Sequence, residues 1–430
     1  MSSTIFARSS GSGRAGVTVF RLSGPNAGAA LSALTGSTGR PRHARLATVR
    51  LKDGSVLDRG LALWFPGPAS FTGEDVAELH LHGSVAVERA LSDELTDLGL
   101  EPAAAGAFTL RAFENGKLDL AQAEGLADLL RAETEGQRRH ALGQLGGRLS
   151  DLVAGWRAVI VACMARLTAA IDFADEEDVP DGVDSAVRDE LTALDHAMAA
   201  ALSGADSARR LRDGVRVVLT GPPNAGKSSL LNALAGEDRA IVSSVAGTTR
   251  DVIEVRMVLG DHLVVLVDTA GLRDTTDPVE RIGVERAQLA ASQADLRLHL
   301  LPFAEVSEEA ADDDGMVCLA TKADLNLDPD ATLPAGWIPV SVRGGGGLDA
   351  LISVLTTRLV AGSAGPITRE RHLRTVGAAR EAIQAAATAV LPELAAASLG
   401  EAIVALDEVT GRIGVEEVLG AVFGEFCIGK

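Results

Sequence analysis

The chain is short of four things, and each shortage narrows what it can do. Its 430 residues hold only three cysteines, Cys163, Cys318 and Cys427. Three cannot make a disulfide framework, and no two stand at metal-ligand spacing. Cys163 and Cys318 fall in apolar runs and read as small core residues. No stretch reads as continuously apolar over the length of a bilayer span, and the N-terminus, MSSTIFARSSGSGRAG, lacks the apolar core of a signal peptide. A cytoplasmic protein with no membrane role is expected. Asp and Glu are absent from residues 1–52, which hold eight basic residues, although the whole chain carries a net charge of −19. The acidic bulk argues against a general nucleic-acid coat; the basic start suits either an anionic ligand or a solvated face. Lysine is the fourth shortage: of 40 basic residues only Lys52, Lys117, Lys227, Lys322 and Lys430 are lysines. A lysine kept against such a preference for arginine marks a place where a planar guanidinium does not serve.

What the chain does have begins at Gly221-Pro-Pro-Asn-Ala-Gly-Lys-Ser-Ser229. This G-x-x-x-x-G-K-S loop follows the apolar run Val215–Leu219 and opens into a helix-like segment, the context in which backbone N–H groups and a helix N-terminus cradle phosphates. Lys227 would reach the β/γ-phosphates and Ser228 would ligate Mg²⁺. Strands are expected at Val215–Leu219, Val252–Val258, His262–Val267, Leu296–Leu301, Met316–Ala320 and Ile338–Val342, with a tight Gly260-Asp261 turn making one antiparallel edge hairpin on an otherwise parallel sheet. Gly247-Thr-Thr-Arg-Asp251, Asp268-Thr-Ala-Gly271, Thr321-Lys-Ala-Asp324 and Ser341-Val-Arg343 then fall at strand ends or the loops that follow, where open α/β sheets bind ligands. Asp268 would hold Mg²⁺ through water, Gly271 would sense the γ-phosphate, and Asp324 would accept two N–H bonds from guanine, so GTP is expected over ATP.

The rest of the chain reads as three further pieces. Residues 1–116 mix short β-like runs with a helix around Val85–Leu98, an α+β domain. Residues 117–212 turn helical, with Leu126, Leu129 and Leu130 on one face, and the acidic run Asp172–Asp178 reads as a solvated loop. Ser203–Gly214 and Ala361–Thr368 read as linkers bounding the nucleotide domain, 213–362. Residues 363–430 are helical again, with Val415, Leu419, Val422 and Phe426 in one stripe. The expected fold is thus multidomain α/β plus α, with a Ras-like P-loop GTPase domain inserted into a helical bundle domain.

Taken together, these motifs resemble the MnmE (TrmE) family of tRNA modification GTPases. The resemblance rests on the phosphate loop, Ala240-Ile-Val-Ser-Ser-Val-Ala-Gly-Thr-Thr-Arg-Asp251, Asp268–Asp274 with Val279–Ala287, Phe71–Gly83, Lys117–Glu124 and the ending Phe426-Cys-Ile-Gly-Lys430. It implies an N-terminal domain, 1–116, that binds a 5-formyl- or methylene-tetrahydrofolate through Arg21, Glu78, Lys117 and Lys430 and dimerises. It implies a GTP site of Asn224, Ala225, Gly226, Lys227, Ser228, Ser229, Ser243, Ser244, Val245, Ala246, Gly247, Thr248, Thr249, Asp268, Thr269, Ala270, Gly271, Thr321, Lys322, Ala323, Asp324, Ser341, Val342 and Arg343. Mg²⁺ would sit on Ser228 and Thr249, and K⁺ on Asn224, Ser243, Val245 and Thr248. Leu272 follows Gly271 where a water-orienting glutamine would stand, and the resemblance gives that catalytic role to Glu280, beside Lys227 and the tail thiol of Cys427. Four of the five lysines fall on these positions. The implied partners are a second copy of the chain, the FAD-bearing flavoprotein MnmG (GidA) in a heterotetramer, and a tRNA whose wobble uridine receives an aminomethyl-type group at C5.

The chain departs from the family pattern in three places. Thr321 stands for the usual Asn, which predicts weaker nucleotide affinity; Val342 stands for Ala; and Ser9–Arg14 is poor in Pro. A ribosome-assembly switch GTPase and a stand-alone folate-dependent methyltransferase are the rival readings. The first predicts a basic RNA-binding domain after the GTPase domain, where this chain has a helical tail, and the second predicts turnover without a flavoprotein.

Overall fold

The computed structural model describes residues 3–172, 185–236, 240–241, 254–268, 294–310, 315–326, 332–359, 364–413, 416–424, 426 and 429–430. These form two compact units: 1–130 with 142–195 and 375–430, and 131–141 with 196–374.

The first unit contains a six-stranded sheet in the order β3-β4-β5-β2-β1-β6. Its strands are β1 (Ile5–Arg8), β2 (Ala15–Ser23), β3 (Arg45–Arg50), β4 (Val56–Phe65), β5 (Val76–Gly83) and β6 (Glu101–Pro102). Alternate residues of β2 and β5, among them Phe20, Leu22, Leu79 and Leu81, turn to one face. There they meet Leu31 and Leu34 of α1 (Ala27–Thr35) and Leu91 and Leu95 of α2 (Val85–Asp97). Each such leucine, taken fully out of water, contributes about 2 kcal/mol. Glycine ends α1 at Gly36, left-handed at φ 78°, and Ser84 caps α2 by accepting from the Ala86 N–H.

Helices α3 (Ala107–Glu114), α4 (Leu120–Arg131), α6 (Arg148–Asp172), α7 (Ser185–Ser203), α11 (Glu370–Thr388), α12 (Pro392–Thr410) and α13 (Glu416–Gly424) supply the helical part. Leu120, Ala123 and Ala127 of α4 pack on Val422, Phe423 and Phe426, so of the expected C-terminal stripe Val422 and Phe426 are buried and Leu419 partly buried. Of the expected α4 face, Leu126 packs on the same cluster, whereas Leu130 is exposed. By length and composition α6 does suffice to cross a membrane, contrary to expectation. Its apolar residues nonetheless form a one-sided stripe, Leu149, Val153, Trp156, Ile160, Cys163 and Leu167, and its Arg157 Nε donates to buried Asp407 of α12 at 3.0 Å. Burial, then the Glu190 carboxylate beside it, raises the Cys163 thiol to about 11, so Cys163 is a protonated core residue.

The second unit is built on a seven-stranded sheet ordered β13-β12-β11-β7-β10-β9-β8. Its strands are β7 (Val215–Thr220), β8 (Ala240–Ile241), β9 (Glu254–Leu259), β10 (His262–Asp268), β11 (Leu296–Pro302), β12 (Met316–Thr321) and β13 (Trp337–Val340). Strands β13, β12, β11, β7 and β10 run parallel, buried on one face by α9 (Lys227–Ala235) and α10 (Leu348–Leu359). The β9–β10 hairpin is antiparallel, as its Gly260-Asp261 turn predicts, but it is not the edge: β8 pairs outside β9. Val342 also lies past β13 rather than in it. Ser203–Gly214, expected as a linker, is largely the helix α8 (Ala205–Asp213), and Ile367 and Thr368 at the end of the second expected linker are buried. Helix α5 (Glu135–Leu145) begins in this unit, which takes 131–141. Of the acidic run, residues 173–178 lie outside the described residues.

Candidate functional site

The phosphate loop joins β7 to α9. Its first glycine approaches β11 so closely that a Cβ at Gly221 would stand 2.2 Å from the Leu300 carbonyl oxygen, at a φ of +134°. Only glycine fits there. Asn224 (φ 63°) and Gly226 (φ 95°) are left-handed, which bends the loop around the N-terminus of α9. Lys227 opens that helix, 7% exposed, and its Nζ donates to the carbonyls of Gly221 (2.8 Å) and Pro222 (2.9 Å). The ammonium thus sits inside the loop at the positive end of a helix, an arrangement that attracts phosphate oxygens.

Strand register brings the other nucleotide residues to the same edge. Asp268 ends β10 opposite Leu219, two residues before Gly221, and Thr321 ends β12 between Pro302 of β11 and Val340 of β13. The Thr321 hydroxyl is buried and donates to the Ala225 carbonyl at 2.6 Å, with the Leu301 carbonyl 3.1 Å away. Thr321 therefore ties the end of β12 to the phosphate loop instead of offering its hydroxyl outward. Lys322 is left-handed (φ 57°) and starts a single 3₁₀ turn over Ala323–Leu325. Ser341 Oγ donates to Asp324 Oδ1 at 2.7 Å and accepts from the Gly344 N–H at 3.0 Å. The hydroxyl, held by the Gly344 N–H, in turn fixes the carboxylate at the strand-end edge. Of the residues expected to hold Mg²⁺, Ser228 sits at the second position of α9; of those expected to hold K⁺, Asn224 is described. Ser243, Ser244, Val245, Ala246, Gly247, Thr248, Thr249, Thr269, Ala270, Gly271, Glu280 and Cys427 lie outside the described residues.

A second cluster lies on the six-stranded sheet. Arg21 and Glu78 face each other directly across β2 and β5, and Nε (3.0 Å) and Nη2 (2.8 Å) of the arginine donate to Glu78 Oε1. His80 Nε2 stands 3.2 Å from the other carboxylate oxygen. The guanidinium lies over the rings of Phe71 (5.6 Å) and Phe108 (5.9 Å). Phe71 is 37% exposed, a flat ring beside an ion pair. Two residues on, a Cβ at Gly73 would stand 2.9 Å from Asn115 Cβ and 3.3 Å from Lys117 Cε, and Asn115 Nδ2 donates to Thr72 O at 2.7 Å. The chain's end comes to the same sheet: Ser9 Oγ donates to Gly429 O at 2.9 Å, and a Cβ at Gly429 would stand 2.1 Å from Arg8 O. Since Ala7 pairs with Arg21, the tail docks one strand from the Arg21–Glu78 pair. Sequence reasoning missed Ser9, His80 and the Arg111–Glu74 pair (2.8 Å) that braces this loop through Ser23. Nothing local to those residues signals it.

Comparison with known proteins gives a family model for the MnmE helical domain over residues 120–427 and one for the N-terminus of the GTP-binding protein TrmE over residues 4–117. The chain belongs to the MnmE family of tRNA modification GTPases. The tRNA modification GTPase MnmE of Paramagnetospirillum magneticum is 49% identical over 100% of both chains. That of Methylorubrum populi is 49% identical over 99% of this chain and 98% of its own, and that of Phenylobacterium zucineum 48% over 100% of both.

Proposed function

We propose that this chain hydrolyses GTP in a K⁺-dependent way and that hydrolysis drives modification of the wobble uridine of tRNA. The observation that carries the nucleotide reading is the Ser341–Asp324 bond, which holds a carboxylate at the edge where the phosphate loop begins. A carboxylate so held accepts the N1–H and 2-amino protons of guanine, a donor pair adenine does not offer. Lys227 contributes its charge at the N-terminus of α9, and Ser228 with Thr249 would hold Mg²⁺, while Asn224, Ser243, Val245 and Thr248 would hold K⁺. When bound, the two cations neutralise charge growing on the β/γ-phosphate oxygens, the part an arginine plays in other GTPases. Glu280 orients the attacking water.

The N-terminal cluster supports a folate site. An exposed aromatic ring beside an ion pair, with Lys117 close by and Lys430 ending a docked tail, suits a flat ligand carrying carboxylates. Arg21, Glu78, Lys117 and Lys430 would hold a 5-formyl- or methylene-tetrahydrofolate, which supplies the one-carbon unit, and Cys427 of the tail stands within the same chain segment. The working assembly is a cytoplasmic homodimer that joins the FAD-bearing flavoprotein MnmG in a heterotetramer to add the aminomethyl-type group at uridine C5. Steady-state hydrolysis by the full chain in KCl and in NaCl tests the nucleotide part. GTP turnover at least about tenfold faster in K⁺, with ATP neither hydrolysed nor competing, is expected from a cation that stabilises transition-state charge. Equal rates in the two salts contradict the K⁺ reading, and absence of GTP turnover contradicts the whole.

A further inference from the structure

The start of α5 lies far in sequence from every nucleotide motif, yet it grips the sheet that carries them. Thr134 and Gln137 form a capping box: Thr134 Oγ1 accepts from Gln137 N (3.1 Å), and Gln137 Oε1 accepts from Thr134 N (3.1 Å) and Glu133 N (2.8 Å). Both side chains, each 7% exposed, then use their remaining donors on the nucleotide unit. Thr134 Oγ1 donates to Asp261 O (2.9 Å), in the turn of the β9–β10 hairpin, and Gln137 Nε2 donates to Arg212 O (2.9 Å), near the end of α8. Glycine lets the helix come this close: a Cβ at Gly136 would stand 2.5 Å from Asp261 O. Arg139 pairs with the Asp261 carboxylate, and Arg256 of β9 pairs with Glu133. A capped helix start needs none of these outward bonds, so they serve the hairpin.

We propose that residues 133–139 are a positioning clamp on the β9–β10 hairpin, through which the nucleotide state and α5 bias one another. The hairpin's far end is where the chemistry sits: β10 runs from the clamped turn to Asp268, and β9 follows directly on the segment holding Thr248 and Thr249. Two hydrogen-bonded strands with a pinned turn cannot shift along the sheet without pulling on the pin. This inference rests on the GTPase reading above and adds residues that no nucleotide motif contains.

Four variants of the full-length chain separate a clamp from a mere helix cap. Thr134→Ser keeps both the cap and the outward donor. Thr134→Asp keeps the cap, because a carboxylate is a good N-cap acceptor, and loses the donor to Asp261 O. Gly136→Ala favours the helix but collides with the hairpin carbonyl, whereas Gly143→Ala on the same helix meets nothing nearer than 3.8 Å. Hydrogen exchange of the α5 amides is read with GDP and with a non-hydrolysable GTP analogue, alongside kcat and KM for GTP. The clamp predicts an exchange difference of about threefold or more between the nucleotide states in the wild type, Thr134→Ser and Gly143→Ala. It predicts loss of that difference, and a kcat lowered about fivefold or more at unchanged KM, in Thr134→Asp and Gly136→Ala. No nucleotide-dependent exchange in the wild type overturns it, as does a Thr134→Asp variant that behaves like Thr134→Ser, or a Gly143→Ala variant as impaired as Gly136→Ala. A wild type without GTP turnover fails the GTPase reading instead, and shows it before any variant is made.

Discussion

The nucleotide cradle and the N-terminal cluster are built by opposite means. The cradle is mostly backbone: left-handed Asn224, Gly226 and Lys322, a glycine pressed on the Leu300 carbonyl, and strand ends that share one edge. The cluster is side chains that reach across the chain, Arg21 to Glu78 over 57 residues between strands and Ser9 to the Gly429 carbonyl over 420. Consecutive amides can be aimed only by consecutive backbone angles, so a phosphate cradle has to be written as one contiguous motif. A cross-strand pair depends on register, which no short motif encodes. The two sites should therefore fail differently when altered.

The largest effect is expected at Gly221. Alanine there meets both the Leu300 carbonyl and a φ that side chains rarely adopt, and should destabilise the nucleotide unit by about 2–4 kcal/mol. Thermal unfolding with a GDP titration checks this: the unit's transition falls and GDP binding weakens by about a hundredfold or more, while the N-terminal sheet is untouched. Normal GDP affinity in Gly221→Ala would remove the case for a backbone-built cradle. Next comes Glu78→Gln, which replaces a charge-assisted pair by a neutral one and should cost about 1–3 kcal/mol of folate affinity. Isothermal titration with a reduced folate reads it, and GTP turnover should not move; a parallel loss of both would show that the two sites are not separate. The smallest change is at Thr321. Removing its hydroxyl in Thr321→Ala frees the Ala225 carbonyl and should weaken GDP binding about five- to tenfold, the worth of one hydrogen bond. Thr321→Asn, which adds an amide able to reach the base, should bind about threefold more tightly than wild type; no gain would leave Thr321 with only its latch on the phosphate loop.

Much of the nucleotide unit was legible because long apolar runs bounded by glycine and charge make unmistakable strands. Val215–Leu219, His262–Val267 and Met316–Ala320 each lie within one residue of the observed ends. Where the signal was short, it was missed: β1 has four residues, β6 and β8 two each, and their partners rather than their own pattern make them strands. Helix α8 was hidden for another reason. Its Arg-rich sequence has little apolar stripe, and it is held by Arg209 (2.6 Å) and Arg210 (3.2 Å) on the buried Asp295 carboxylate. Arg21, Glu78, Lys117 and Lys430 were named through the family resemblance and the scarcity of lysine, and of these the structure pairs Arg21 with Glu78. The docking of the tail on Arg8 and Ser9 was not, because two residues 420 apart leave no trace in either neighbourhood.

The central claim is that GTP hydrolysis at one site and chemistry at the other serve a single modification of tRNA. Nucleoside mass spectrometry of bulk tRNA from cells lacking this gene, with wild-type, Lys227→Ala and Cys427→Ser rescues, tests it directly. The account predicts loss of the wobble-uridine C5 modification, its return with wild type, and no return with either variant. Unchanged tRNA in the deletion strain would contradict the claim.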